Sequence, residues 1–330
     1  MISAGLFISS IVLGGLGAWF VACFGSKMGL VDHPNERSSH NEPTPRGGGV
    51  GIVAAFLLVS IVSGAPAGFW APAMFLSIIG VLTDIFDLSP VLRLPFQIAA
   101  GGIFAAAAMT GDMPLINGAM PAVLIAPAAI YIVGTANFYN FMDGINGIAG
   151  ITGILAFGLL GVYLHITGNP SFLKILAFSI SLACVGFLPF NVPAARVFMG
   201  DVGSILLGFL FGGMVILLSK SLLDFLCLVS FLFPFYADEL NTMAVRLKGG
   251  ESLLRPHRKH IYQLLANEKG IAHWRISASY GFIQLLVGGS IICLRSHGIV
   301  PVFIILLVYL ACFSFAGSLI RFSVHRQQEI

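Results

Sequence analysis

Charge is what this sequence has least of. Of 330 residues, 9% are Asp, Glu, Lys or Arg and 57% are hydrophobic. That balance excludes a soluble domain with a polar shell, and no stretch is both polar and long enough to form one. The first basic residue is Lys27, after the apolar run 1–24. A cleaved secretory signal wants a basic start, so the expectation is a retained first helix. Cysteine is also scarce. Cys23, Cys184, Cys227, Cys293 and Cys312 lie in or beside apolar runs with no metal-type spacing and no pairing pattern, and read as small buried hydrophobes. Nothing points to nucleic acid, and no internal repeat is visible.

What is present is a series of apolar stretches of membrane length. They predict an all-α, polytopic integral membrane protein, one domain over residues 1–330. The spans expected are 2–24, 48–63, 69–86, 92–109, 119–138, 146–167, 172–189, 202–219, 222–240, 276–294 and 299–320. That is eleven, or ten if one of the weaker stretches does not cross. Fourteen of the seventeen Lys and Arg residues then fall on one side, leaving Lys174, Lys220 and Arg295 on the other. The positive-inside rule makes the first side cytoplasmic, with a periplasmic N-terminus and a cytoplasmic C-terminus. The cytoplasmic loops are about 25–47, 87–92, 139–145, 190–201 and 241–275. Asp32, Asp84, Asp87, Asp143, Asp201, Asp238 and Glu239 gather at the same face, with Asp112 and Asp224 opposite. Acids and bases collected at one face suggest one site there for an anionic ligand and a cation.

The stretch that organises the chain is NFYNFMDGINGIAG, residues 137–150, between two apolar runs. It places Asp143 and three amides, Asn137, Asn140 and Asn146, at the end of a span. Ionisable groups at membrane depth are costly and are functional candidates. On a continuous helix Asn137, Asn140 and Asp143 share one side. The alternative is polar glue between helices. Arg37, His40 and Arg46, in the proline-rich first loop, can reach an anion or simply attract anionic lipid. Asp84 and Asp87, three apart, share a helix face; they bridge a cation or stand as a solvated helix end. Asp201, in MGDVGS, suits Mg²⁺, which takes one or two carboxylates plus phosphate oxygens; it also suits a helix cap. The run RPHRKHIYQ gives a cationic cluster, Arg255, His257, Arg258, Lys259 and His260. Phosphate binding fits it better than zinc.

These motifs together resemble the polyprenyl-phosphate N-acetylhexosamine-1-phosphate transferase family, over about residues 30–263. NFYNFMDGINGIAG resembles its Asn-rich Asp-Gly motif, MGDVGS its metal-site motif and RPHRKHIYQ its histidine motif. The resemblance implies transfer of a HexNAc-1-phosphate from a UDP-sugar to undecaprenyl phosphate at the bacterial inner membrane, releasing UMP. It implies Mg²⁺, with Mn²⁺ as a substitute, on Asp201 and Asp84. Asp84, Asp87, Asp143 and Asp201 become the catalytic set. Arg46, Asn137, Asn140, Asn146, His257, Arg258 and His260 become substrate-binding. A homodimer is left open. Two positions depart: Thr83 stands where the family's first paired aspartate is expected, and Asn146 where many members carry Asp. The histidine motif is most similar to the O-antigen-initiating branch, which implies UDP-FucNAc, UDP-QuiNAc or UDP-GlcNAc. Two rivals stand beside this: an ion-coupled transporter with intramembrane carboxylates, and an inactive scaffold suggested by Thr83.

Overall fold

A computed structural model describes residues 2–34, 39–40, 42–109, 122–168, 171–252 and 257–328. Arg37, Asp112 and Arg255 lie outside them. The described chain is helical apart from one two-residue hairpin, in which β1 (Val31–Asp32) pairs antiparallel with β2 (Thr44–Pro45). The helices are α1 (Ile2–Phe24), α2 (Val50–Val62), α3 (Ala67–Phe86), α4 (Pro90–Met109), α5 (Ile125–Phe141), α6 (Ile148–Ile166), α7 (Ser171–Phe187) and α8 (Asp201–Leu218). They continue with α9 (Leu222–Val229), α10 (Phe233–Lys248), the short α11 (Ile261–Gln263), α12 (His273–Leu294) and α13 (Ile299–Gln328).

Nine of these among the described residues are long and apolar enough to cross a membrane, and the protein is an all-α polytopic membrane protein. The two expected spans outside that nine differ for local reasons. Residues 48–63 form a helix of only 13 residues, α2, about 20 Å long against an apolar bilayer thickness of roughly 30 Å. Residues 222–240 are broken. α9 tightens into a 3-10 turn at Ser230–Leu232, and a new helix begins with Pro234 in its first turn. Proline tolerates a helix start and not an interior, which is why the break falls there. α10 then runs past the expected boundary and carries a buried polar stripe, Asp238, Thr242 and Arg246, one residue per turn.

α8 is apolar all round and 89% of its residues are buried, so it is the axis of the bundle. α5, α3, α2 and α4 pack on it, while α1 packs against α2 and α7. Several polar groups inside the bundle are paired. Asn137 donates to Gln97 Oε1 at 2.7 Å, and Tyr236 bonds Tyr131 and Thr135 at 2.9 and 2.8 Å. At the far end of α6, Asp224 accepts from Tyr163, Ser221 and Arg295, clasping α6, α9 and the end of α12.

The α1 contacts are backbone to backbone. A Cβ added at Gly51 would overlap the Leu13 carbonyl, and one at Gly14 the Ala183 carbonyl. Small residues are what allow such approach between membrane helices. Gly51→Leu is expected to destabilise the protein by about 1–3 kcal/mol, seen as a lower melting midpoint in detergent. An unchanged midpoint would remove this packing as a source of stability.

Candidate active site

One cavity of about 280 Å³ opens where the ends of α3 and α5 meet the starts of α8 and α12, roofed by the β-hairpin loop. Its wall includes Asp32, His40, Arg46, Asp84, Asn140, Asp143, Asn146, Asn191, Phe198, Asp201, Gln263 and His273. Stretches distant in sequence therefore supply one chamber. Its carboxylates stand at one end of the bundle rather than midway along the spans, which does not favour an ion-coupled transporter.

Asp84 is the keystone of the wall. It is 2% exposed, and its Oδ1 and Oδ2 accept from the backbone N–H groups of Asp201 and Val202 at 2.9 and 3.1 Å. These are the first N–H groups of α8, which have no partner within their own helix. The cap role weighed for Asp201 thus belongs to Asp84, reaching across from α3. Gly200, before them, has φ 76° and ψ 169°, a conformation open to glycine, and an added Cβ would lie 2.5 Å from Asp84 Oδ2.

Asp201 itself is free of the cap and turns its carboxylate toward α4 and α5. Oδ1 accepts from Asn140 Nδ2 at 2.9 Å, and Oδ2 pairs with Arg93. Asn140 also donates to Ser204 Oγ at 2.8 Å. Arg93 was passed over because the start of α4 reads as packing. A guanidinium inside a membrane-length helix was the signal that could have found it.

Asp143 lies within the expected loop 139–145 and not on a continuous helix with Asn137 and Asn140. α5 ends at Phe141, and Asp143 lies in the turn that follows, bonded through its N–H to Asn140 O. The turn keeps it at the cavity. Burial, with the Asp84 charge adding to it, pushes its carboxyl up to about 7. Asn146 lines the same wall. Its N–H donates to His273 Nδ1 at 3.3 Å and its carbonyl accepts from Ser277.

Arg46 grips the end of α3. Nε donates to Asp84 O at 2.8 Å, and the same guanidinium pairs with Asp87. Asp87 closes α3 in the left-handed region at φ 51°, and its carboxylate is 77% exposed, outside the cavity wall. Asp84 and Asp87 therefore do not share a cation; the helix ends between them. Thr83 Oγ1 donates back to Ile79 O at 2.9 Å, so the departure from the paired-aspartate pattern leaves a hydroxyl tied to its own helix.

Four expected substrate-binding residues do not reach the wall. Asn137 is spent on Gln97 and Val133 O. His257 and Arg258 lie outside the lining set. Burial and the neighbouring His260 and Arg246 push the His257 ring down to about 4, so it is neutral at pH 7. His260 is buried, with Nδ1 3.7 Å from Asp238 and Nε2 3.4 Å from Glu239. The physical reason is the carboxylate pair on α10, which draws the histidine inward. Gln263, three residues on, lines the cavity in its place. Its capping-box position at the third residue of α11 was the available signal. His273 carried none: it is a lone histidine opening an apolar helix.

The wall offers hard oxygen donors, Asp84, Asp143, Asp201 and Asn140, with two histidines, His40 and His273, and no cysteine. Among the described residues no group of three or more His, Cys, Asp or Glu side chains is placed to cage a metal ion. That donor set fits Mg²⁺ or Mn²⁺ completing its coordination on ligand oxygens, and it does not fit zinc.

Residues 66–219 match the model of Glycosyl transferase family 4. Over 277 residues the chain is 29% identical to the undecaprenyl-phosphate alpha-N-acetylglucosaminyl 1-phosphate transferase of Thermotoga maritima, covering 82% of this chain and 84% of that one. The chain is similar, over most of its length, to polyprenyl-phosphate N-acetylglucosamine-1-phosphate transferases. The Escherichia coli K12 protein of the same name is 27% identical, over 92% of this chain and 87% of its own. The decaprenyl-phosphate N-acetylglucosaminephosphotransferase of Mycobacterium tuberculosis CDC 1551 is 28% identical, over 83% and 80%. The family-model match runs from the start of α3 to the end of α8, and so includes Asp84, Asp143 and Asp201.

Two outcomes follow from the wall. Asp84→Asn keeps the shape and loses the charge that receives two N–H groups, so the protein should lose about 1 kcal/mol of stability, as for a lost helix cap. Equal unfolding midpoints for the two proteins would sink the cap assignment. Asp143, with its pKa raised above the unfolded value, binds its proton more tightly when folded. Stability of the metal-free protein should therefore be highest in acid and fall as pH rises through about 7. Melting midpoints from pH 5 to 8 check this, and Asp143→Asn should flatten that part of the profile.

Proposed function

We propose that this chain transfers a HexNAc-1-phosphate from a UDP-sugar to undecaprenyl phosphate at the cytoplasmic face of the bacterial inner membrane, releasing UMP. The observation that carries the reading is a cavity that joins Asp84, Asn140, Asp143 and Asp201 to the basic group Arg46, with Arg93 paired to Asp201 behind the wall. Relatives covering most of the chain act, by their names, on undecaprenyl or decaprenyl phosphate with N-acetylglucosamine. The charge asymmetry supports a cytoplasmic cavity, a periplasmic N-terminus and a cytoplasmic C-terminus.

A lipid phosphate oxygen attacks the β-phosphorus of the donor in line. One P–O bond forms, the bond to the UMP oxygen breaks, and UMP leaves with the electron pair. Phosphoryl transfer of this kind is mostly positioning and electrostatics. Asp143, poised near neutral pH, accepts the proton from any monoanionic lipid phosphate, whose second pKa is near 6. Asp84 has a positioning part, since its oxygens receive the N–H groups that open α8. It thereby fixes Asp201, and Arg46 fixes it in turn. Asn140 orients Asp201 and Arg93 neutralises it until an anionic ligand enters. Asp201 would hold Mg²⁺ or Mn²⁺, with Asp84 beside it. When bound, the ion neutralises charge developing on the diphosphate oxygens. Asn146 and Phe198 shape the wall that faces the donor.

The relatives' names favour UDP-GlcNAc, whereas the RPHRKHIYQ form favours UDP-FucNAc or UDP-QuiNAc and a start to O-antigen synthesis. A transfer assay with undecaprenyl phosphate, Mg²⁺ and these three donors separates them. Lipid-linked product should appear fastest with one of the three donors and about tenfold or more slower with the other two. Asp201→Asn should lower UMP release by about 100-fold or more at an unchanged melting midpoint. A folded protein that makes no product with any donor would return the scaffold reading.

A further inference from the structure

The turn that carries Gln263 to the cavity is fixed from beneath by one carboxylate outside the cavity wall. Asp238, on α10, has no exposed surface. Its Oδ1 accepts from Ile261 N at 2.9 Å and Thr242 Oγ1 at 3.1 Å. Its Oδ2 accepts from Tyr262 N at 3.3 Å and Tyr280 Oη at 2.6 Å. Two of these donors are the opening N–H groups of α11. A buried carboxylate with four donors is satisfied and has no proton chemistry left to offer.

Two parts of the wall hang on that turn. Gln263 lines the cavity, and its Oε1 accepts from His260 N at 3.4 Å, which leaves its amide N–H donors as its remaining polar capacity. Tyr262, between them, donates its hydroxyl to Phe141 O at 2.9 Å. That carbonyl closes α5, two residues before Asp143. The fit is close, because an added Cβ at Gly144 would overlap the Tyr262 hydroxyl. Arg321 of α13 binds the approach to the turn, through Lys259 O and Thr242 Oγ1.

We propose that Asp238 is a positioning residue for the transfer reaction. It sets Gln263 and the Asp143–Gly144 turn at the cavity, for a nucleoside diphosphate donor that Asp238 itself never touches. This rests on the function proposed above. It predicts that loss of the Asp238 charge weakens donor binding through Gln263, and not by loosening the bundle at large.

The test uses the purified full-length protein and four variants: Asp238→Asn, Tyr280→Phe, Gln263→Ala, and Asp238→Asn with Gln263→Ala. Tyr280→Phe removes one donor to the carboxylate and keeps the test alive if Asp238→Asn does not fold. Two readouts are taken: amide hydrogen exchange, and affinity for UDP by calorimetry. Exchange at Ile261 and Tyr262 should rise by about tenfold or more in Asp238→Asn, the loss expected for a hydrogen bond to a charged group. Exchange at Asp201 and Val202, capped by Asp84, should stay unchanged. UDP should bind about tenfold more weakly to Asp238→Asn and less than tenfold more weakly to Tyr280→Phe. The double variant should bind no more weakly than Asp238→Asn alone, because the two act in series. Faster exchange throughout the bundle, unchanged exchange at 261–262, or effects that multiply would each overturn the proposal. A wild-type protein that binds no UDP would instead overturn the proposed function, so the two failures are distinct.

Discussion

The site depends on carboxylates that serve a backbone other than their own. The first N–H groups of a helix have no partner within it, and buried without one they cost on the order of 1–3 kcal/mol each. Asp84 meets this need for α8 and Asp238 for α11. Each carboxylate has its negative charge compensated by the donors it receives, which is what lets it remain in a low-dielectric interior. Each also converts a helix start into a fixed point. What is held there, Asp201 in one case and Gln263 in the other, faces the cavity.

This arrangement divides labour among side chains that look alike in a list. Asp238 receives four donors, and Asp84 receives two backbone N–H groups. Asp87 is an exposed helix terminator steadied by Arg46. Asp143 and Asp201 line the cavity along with Asp32 and Asp84 and cap no helix. Asp143 sits close enough to the Asp84 charge, and in surroundings dry enough, to hold its proton toward neutrality. Asp201 is balanced by Arg93 and Asn140. Arg46 and Arg93, the basic groups beside these acids, are themselves held in intramolecular pairs with Asp32 and Asp87 and with Asp201.

The bundle around the site is built for close approach. Gly14, Gly51 and Gly186 let α1, α2 and α7 meet backbone to backbone, which holds the short α2 beside α8 without the length of a full span. The broken α9–α10 segment has a related consequence. By ending the apolar helix at Ser230–Leu232 and starting a polar one, it brings Asp238, Thr242 and Arg246 under the loop that returns to the cavity. A continuous span there would have left that loop without its anchor.

The sequence by itself determined the solvent and the class. Scarce charge and long apolar runs demand a bilayer, and Asp143, Asn140 and Asp201 at span ends stand out because polar groups there are expensive. Their meeting in one chamber was legible as well, since both motifs fall on the same face. What the sequence could not decide is who pairs with whom. His257, Arg258 and His260 read as an anion site because a local string shows their charge and not the α10 carboxylates that take His260 away. Asp84 read as a metal ligand because the N–H groups it caps lie 117 and 118 residues further on. Arg93 and His273 carried too little pattern to be placed. Only the tertiary structure assigns these, because hydrogen bonding and charge compensation act through distance in space, and periodicity reports only neighbours along one helix.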